Sequence, residues 1–204
     1  MGASGQITYR AEAMRKSIHL LSLVIPLVAW YLERIDTLLC LGLMLGVSII
    51  VDVERFRPGV IGRLIRRHFN FMIREHERDA GNGIGSFTGS TWMLFSAIIT
   101  FAVFPKEVAV AAFAMLILCD SAAALVGRRF GRIRFGKKRK SVEGSLAFLV
   151  VAVAIALMTP GLPVGAGIAG AIAATLAEAL LDDIDDNFTV PIAAGLAMIA
   201  VLNW

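Results

Sequence analysis

The sequence predicts an all-α, polytopic integral membrane protein with about seven transmembrane helices. The first observation behind this prediction is composition: 57% of the 204 residues are hydrophobic and the mean hydropathy is +0.75. In soluble domains the apolar share lies nearer one half or below. The second observation is that the apolar residues form runs separated by polar segments. We therefore interpret residues 1–204 as a single membrane-embedded domain.

The apolar runs set the order of the predicted helices. Several runs are shorter than the roughly 20 residues that a crossing helix needs, so tilt or local bilayer thinning has to accommodate them. Between the second and third runs, apolar residues recur with a helical period from residue 61 to residue 73, which predicts an interfacial amphipathic helix. The predicted spans are residues 18–32, 37–53, 91–104, 107–126, 142–159, 164–181 and 190–203.

Positive charge is distributed unevenly between the segments that flank these spans. Segments 1–17, 54–90 and 127–141 hold 3, 7 and 8 of the 20 Lys and Arg residues, which leaves Arg34 and Lys106 for the other side. Because Lys and Arg accumulate in cytoplasmic loops, we expect the N-terminus and these segments to face the cytoplasm. No recognition motif for nucleic acid accompanies the charge, so anionic lipid head groups and nucleotide phosphates are the better partners.

The segment before the fifth span is the densest basic stretch of the chain. Residues 127–140 contain eight cationic side chains and three glycines. This composition suits a polyphosphate, because cationic groups neutralise phosphate oxygens and glycine lets backbone N–H groups approach. Ser141 is placed as the N-cap of the next helix, whose positive end would face the same anion. The alternative is a basic loop that only fixes orientation in the membrane.

An acidic cluster follows the sixth span. Glu178 is succeeded by Asp182, Asp183, Asp185 and Asp186, so that five carboxylates fall within nine residues. Their mutual repulsion requires a compensating cation, and Mg²⁺ is the natural one because it prefers carboxylate oxygens and bridges to phosphates. The alternative is that these acids form salt bridges with the basic segments on the same face.

Further ionisable side chains lie at or inside the apolar runs. Asp120 is about 10 Å deep in the fourth span at 1.5 Å per residue, where a carboxylate faces either a polar cavity or a partner that locks two helices together. Arg15, Lys16 and His19 can share one helix face towards a phosphate, although a boundary histidine is also a common interfacial residue. Glu143 can orient a cation, bind a metal or stabilise its helix N-terminus.

Four sequence patterns, in order, resemble the polyprenol kinase family, which includes dolichol kinases, phytol kinases and CTP-dependent diacylglycerol kinases. The resemblance covers nearly the whole chain, and its central block is the most specific part. The matching patterns are Arg15-Lys16-x-x-His19, then Glu77 with Thr88-Gly89, then Asp120-Ser-Ala-Ala-Ala-x-x-Gly127-x-x-x-Gly131 with Lys140-Ser-x-Glu143-Gly144-Ser145, and finally Glu178 with Asp186-Asn187 ahead of Pro191.

The resemblance implies a kinase that transfers the terminal phosphoryl group of CTP to the hydroxyl of a lipid alcohol dissolved in the membrane. It implies catalytic roles for Asp120, Glu178 and Asp186, with Asp120 as the preferred base, and tentative roles for the N-terminal pattern and Glu77. The implied Mg²⁺ ligands are Asp120, Asp182, Asp186 and Asn187. The implied nucleotide-binding residues are Arg128, Arg129, Lys137, Lys138, Lys140, Ser141, Glu143 and Gly144.

Two other functions fit parts of the same pattern. A cytidylyltransferase that makes a CDP-lipid would need the same nucleotide, metal and membrane geometry, but its product would retain the nucleotide. A transporter or lipid-binding scaffold could use Asp120 and Glu178 on an ion path. The crowding of polar groups at one membrane face argues against transport, because transporter sites lie near the midplane between repeats.

Overall fold

The computed structural model describes residues 16, 17, 19–57, 59–69, 87–181 and 184–203. This part of the chain is mostly helical, with a two-stranded hairpin between the fifth and sixth helices. In chain order the elements are α1 (Val24–Tyr31), α2 (Arg34–Glu54), α3 (Val60–Phe69), α4 (Gly89–Val103), α5 (Lys106–Phe130), β1 (Arg134–Phe135), β2 (Lys140–Ser141), α6 (Val142–Met158), α7 (Val164–Leu180) and α8 (Asp186–Leu202).

The helices occupy the positions that the apolar runs predict. The first predicted span starts six residues before α1, and every other predicted bound lies within about four residues of the observed helix end. By length and composition, α2 and α5 are long and apolar enough to cross a membrane. Five shorter apolar helices, beginning with His19–Tyr31, correspond to the other runs. The structure therefore confirms the helical class, while the number of crossings and their orientation stay predictions.

The segment predicted as a basic loop is more ordered than the sequence suggested. Helix α5 continues to Phe130, and the chain then forms an antiparallel hairpin in which Arg134 pairs with Ser141 and Phe135 with Lys140. The turn between the strands is possible because Gly136 and Arg139 adopt positive φ angles of 67° and 52°, a region that glycine enters at little cost. The hairpin adds two strands of two residues each to a fold that is otherwise helical over the described residues.

Helix α5 is the centre of the bundle. Its Ala109, Ala112, Phe113 and Leu116 are fully buried, and α1, α6 and α8 pack around it. Small residues let α7 approach its neighbours closely. A Cβ added at Gly167 would lie 2.8 Å from the Ala156 Cβ of α6. The prediction that the sixth apolar run is a packing helix is confirmed by these contacts.

Helices α2 and α3 lie at the periphery and expose apolar side chains. Helix α2 packs mainly on α4. Helix α3 is the described part of the predicted amphipathic segment, and its apolar face is exposed. The position of α3 at a membrane interface stays a prediction. The exposed apolar residues of α2 and α3 include Leu39, Leu43, Val47, Ile50, Val60, Ile61 and Leu64.

Arg34 and Lys106, the two cations that lie outside the three basic segments, both cap helix C-terminal ends. The Arg34 guanidinium donates to the Phe104 carbonyl at the end of α4, at 3.1 Å. Lys106 Nζ donates to the Trp30 and Leu32 carbonyls at the end of α1, at 3.2 and 2.8 Å. A cation beside terminal carbonyls satisfies orphan acceptors and interacts favourably with the helix dipole. Their placement therefore has a local structural reason.

Ser141 joins the hairpin to α6 as the predicted N-cap. Its Oγ accepts a hydrogen bond from the Gly144 N–H at 3.1 Å, and the residue is only 4% exposed. Three glycines surround it closely: an added Cβ at Gly127 or Gly131 would lie 2.7 Å from the Ser141 Oγ, and one at Gly144 would lie 3.0 Å away. These glycines allow α5, the hairpin and α6 to meet at one serine.

Replacing Gly131 by Ala should lower the stability of the hairpin end. The new Cβ would collide with the Gly127 carbonyl oxygen and with the Ser141 Cβ, and no flexible side-chain end is available to yield. Overpacking of this kind costs about 1–3 kcal/mol. Thermal unfolding of the purified protein in detergent measures the loss. Gly165→Ala is the matched control, because nothing lies within 4 Å of an added Cβ there; equal midpoints for the two variants would contradict the close packing.

Candidate active site

Asp120 lies on the buried core helix α5 and is held by residues at the start of the chain. Lys16 Nζ donates a hydrogen bond to Asp120 Oδ2, and His19 Nε2 is 3.6 Å from the same oxygen. The side chain of Lys16 is only 2% exposed, whereas that of Asp120 is 21% exposed. The sequence left open whether Asp120 faces a cavity or a partner, and in the structure it has a cationic partner and retains access to solvent.

Lys140 connects the hairpin to α7 and α8. Its ammonium group donates to the Glu178 backbone carbonyl and lies 3.4 Å from Glu178 Oε1 and 3.2 Å from Asp186 Oδ2. On its other side, the Glu178 carboxylate accepts a hydrogen bond from Ser145 Oγ of α6 at 3.3 Å. One lysine therefore binds two of the three acids for which the resemblance implies a catalytic role.

Lys138 makes a second link from the hairpin turn to the start of α8. Its Nζ is 3.3 Å from Asp186 Oδ1 and 3.2 Å from the Ile184 carbonyl. Asp185 caps α8, because its Oδ1 accepts from the Asn187 N–H at 2.9 Å. Asn187 is tied to α4 through its own carbonyl, which accepts from Ser96 Oγ at 2.6 Å. These bonds fix the helix end that carries Asp186.

We refer to the three carboxylates together as the acidic site (Asp120, Glu178 and Asp186). Glu178 and Asp186 share Lys140, whereas Asp120 is paired with Lys16. Three lysines offset these charges, one from the start of the chain and two from the hairpin. Such a site can bind an anion, because each lysine can contact a phosphate oxygen in place of a carboxylate.

The acids bind lysines rather than converging on a common point. Among the described residues, no group of three or more His, Cys, Asp or Glu side chains is placed to hold a metal ion. Asn187 is buried, and its backbone groups are already engaged. The described acids are thus engaged in salt bridges with lysines. This is the alternative interpretation of the acidic cluster that the sequence left open. The Mg²⁺ site stays a prediction.

The other predicted nucleotide-binding residues surround the hairpin. Glu143 Oε1 accepts hydrogen bonds from the backbone N–H groups of Arg132 and Ile133, at 3.0 and 3.4 Å. Glu143 lies in the first turn of α6, so of the three roles considered for it, stabilisation of the helix N-terminus fits its position. Ser141 and Gly144 are buried in packing contacts. Arg128, Arg129 and Lys137 are exposed. The predicted residues Arg15, Glu77 and Asp182 lie outside the described residues.

A buried polar cluster around Asp52 was missed by the sequence reasoning. Asp52 is 3% exposed, and its Oδ2 accepts from Thr91 Oγ1 at 2.6 Å and from the Thr88 N–H at 3.0 Å. The buried Arg55 guanidinium lies 3.7 Å from Asp52 Oδ1. These bonds join the end of α2 to the start of α4. An acid at the end of an apolar run with an Arg three residues later was the available signal.

Comparison with known proteins gives distant relatives only. No family model matches the chain, and no solved structure matches it. An uncharacterized protein of Rickettsia prowazekii is 29% identical over 72% of this chain and 70% of its own length. The CTP-dependent diacylglycerol kinase 1 of Schizosaccharomyces pombe is 29% identical over 70% of this chain and 62% of its own length. Its namesake in Saccharomyces cerevisiae is 27% identical over 76% and 60%, respectively.

This chain therefore spans less than two thirds of the length of the two yeast kinases. The name of both yeast relatives is that of a lipid kinase. It agrees with the family resemblance at this coarse level.

Replacing Lys140 by Ala should destabilise the protein strongly. The substitution removes the cation that lies between two partly buried carboxylates, and breaking a buried pair from one side costs about 3–5 kcal/mol. Unfolding in detergent, followed by circular dichroism, measures the loss. Lys140→Ala combined with Glu178→Gln should recover part of it, because the uncompensated charge is then removed. Additive losses in the double variant would contradict the coupling of these residues.

Proposed function

We propose that the chain is a CTP-dependent kinase that transfers the terminal phosphoryl group of CTP to the hydroxyl group of a membrane lipid alcohol. Diacylglycerol is the first acceptor to test, because the named yeast relatives are diacylglycerol kinases. Polyprenol, dolichol and phytol are the other acceptors that the family resemblance suggests. The acceptor enters from the membrane and the nucleotide from the aqueous side, so the reaction belongs at an end of the helix bundle.

The observation that carries this proposal is the pairing of three lysines with three carboxylates, two of which share Lys140 of the hairpin. Phosphoryl transfer requires mainly positioning and neutralisation of charge. Lys138 and Lys140 belong to a hairpin that is only partly buried, so they can exchange Asp186 for phosphate oxygens. The resulting contacts hold the triphosphate beside the carboxylates.

The chemical step follows from this placement. The lipid hydroxyl oxygen attacks the terminal phosphorus, a new P–O bond forms, the bond to the bridging oxygen breaks and CDP leaves. The hydroxyl proton passes to Asp120, the acid that lies in the core helix at a depth a lipid hydroxyl can share. Lys16 and His19 orient this carboxylate. Magnesium, when bound to the donor phosphates, supplies further charge neutralisation.

A label-transfer assay tests the proposal. Purified protein in detergent with magnesium receives γ-labelled CTP or ATP and, separately, diacylglycerol, a polyprenol or phytol. Label in one lipid with CTP, accompanied by release of CDP, is the expected result. Release of pyrophosphate when phosphatidic acid is supplied would indicate a cytidylyltransferase instead. Absence of both labelled lipid and released pyrophosphate would reject the kinase and the cytidylyltransferase alike.

Replacing Asp120 or Asp186 by Asn should abolish turnover, and thermal unfolding in detergent checks that each variant remains folded after its lysine partner has lost the charge. The isosteric amide keeps the shape of each side chain but removes the charge and the proton acceptor. Rates of label transfer give the effect, and we expect a loss of about 10²-fold or more for a group that acts in acid–base catalysis. Asp36→Asn serves as the control, because Asp36 lies in the first turn of α2 and is not part of the acidic site. Near-normal turnover in both site variants would eliminate these assignments.

Replacing Lys137 and Lys138 together by Ala should mainly weaken nucleotide binding. The change removes two cations from the hairpin turn, including the one that reaches Asp186. A charge-assisted hydrogen bond contributes about 1.5–3 kcal/mol, so the KM for CTP should rise roughly tenfold or more with a smaller change in kcat. Steady-state kinetics at saturating lipid separate the two parameters. An unchanged KM would reject a role in binding phosphate.

A further inference from the structure

An open cavity lies beside the hairpin, at the junction of α5 and α6. Its volume is about 440 Å³, within the range of small-molecule sites, and it is lined by Arg129, Phe130, Gly131, Arg132 and Glu143. None of these residues belongs to the acidic site. The phosphate-binding role proposed above for Lys138 and Lys140 does not use this space.

The Glu143 carboxylate that lines the cavity is only half satisfied. Oε1 accepts from the N–H groups of Arg132 and Ile133. Oε2 is shielded from solvent, and no described residue donates a hydrogen bond to it. A shielded carboxylate oxygen without a donor is unfavourable, and native structures seldom retain one without a functional reason. A donor group on a ligand in the cavity would satisfy it once the carboxylate turns Oε2 towards the cavity.

The lining specifies what kind of ligand fits. Arg129 and Arg132 can only donate hydrogen bonds, whereas Glu143 Oε2 can only accept one. A simple anion such as inorganic phosphate would satisfy the arginines but be repelled by the carboxylate. Phe130 is 59% exposed. The Arg129 guanidinium lies over one face of its ring, 5.4 Å from the centroid, so a ligand ring can stack only on the opposite face. The lining therefore fits a planar heterocycle that carries both an amino group and acceptor atoms.

The cavity is also placed correctly relative to the hairpin lysines. The Val142 N–H donates to the Ile133 carbonyl at 3.0 Å, which closes the base of the hairpin beside Glu143. From that base the strands lead to Lys138 and Lys140, which contact the acidic site. A nucleotide with its base in the cavity would have to extend its phosphates along the hairpin to reach those lysines.

We infer that this cavity binds the cytosine base of the donor nucleotide, and that Glu143 Oε2 accepts a hydrogen bond from the exocyclic amino group. Glutamate is suited to this contact because the cytosine N4 amino group is a donor. Uracil presents a carbonyl oxygen at that position, which would face the carboxylate oxygen without a proton between them. Glu143 thereby favours CTP over UTP. The inference rests on the proposed use of CTP as phosphoryl donor.

Glu143→Gln is the decisive variant. Its amide oxygen can still accept from Arg132 and Ile133, while its amino group puts a donor in place of Oε2. The preference for CTP over UTP should then fall at least about tenfold, since one well-placed base contact accounts for that much discrimination. Equilibrium binding of CTP and UTP to the purified protein in detergent measures the ratio without requiring turnover.

Two further variants separate selectivity from general damage. Phe130→Ala should weaken CTP and UTP by similar factors, because stacking does not depend on which base is bound. Glu33→Gln, an exposed acid at the start of α2, should leave both affinities unchanged. Thermal unfolding of each variant checks that the hairpin end remains folded.

The outcomes distinguish this inference from the proposed function. Binding of CTP by the unaltered protein, with a reduced CTP-to-UTP ratio in Glu143→Gln, supports both. Binding of CTP with an unchanged ratio, or an equal loss for both nucleotides in Glu143→Gln, overturns the base contact and leaves the kinase proposal standing. Failure of the unaltered protein to bind CTP at all overturns the proposed function and, with it, this inference.

Discussion

The salt bridges between hairpin lysines and helix carboxylates are the interaction on which the arrangement of the bundle depends. Close packing of small residues brings the apolar helices together, and a partly buried carboxylate without a cation is severely penalised. Lys140 satisfies both Glu178 and Asp186, so α7, α8 and the hairpin can meet in only a few ways. Lys16 imposes the same restriction on Asp120 and α5. The bonds that position the helices are thus also the bonds that assemble the site.

The helices were predictable because hydropathy is a local property of the chain. Each apolar run became a helix, and the Ser141 cap follows from a pattern confined to a few residues. The partners of the lysines were not predictable in the same way. Lys140 and Glu178 are 38 residues apart, and only the packing of three helices decides which acid meets which cation. The Asp52 cluster was hidden for the same reason, since it closes across the chain from α2 to α4.

The glycines of the central block show how one residue property can support two interpretations. Their lack of a Cβ suggested close approach of backbone N–H groups to phosphate. In the structure the same property lets Gly127, Gly131 and Gly144 pack around the buried Ser141. The glycine pattern therefore marks a tightly packed junction. The positive charge beside it is carried by lysine side chains that extend away from this junction. Glycine packing supplies the rigid base, and the lysines of the hairpin supply the contacts.

The shortness of the helices has a consequence for the lipid. Helix α4 has 15 residues, and α6, α7 and α8 have 17 each, which corresponds to about 23–26 Å at 1.5 Å per residue. The hydrocarbon core of a typical bilayer is about 30 Å thick. A bilayer around these helices would have to thin, and the head-group plane would then sink towards Asp120. The depth of that carboxylate, costly in a flat bilayer, would become the level at which a lipid hydroxyl resides.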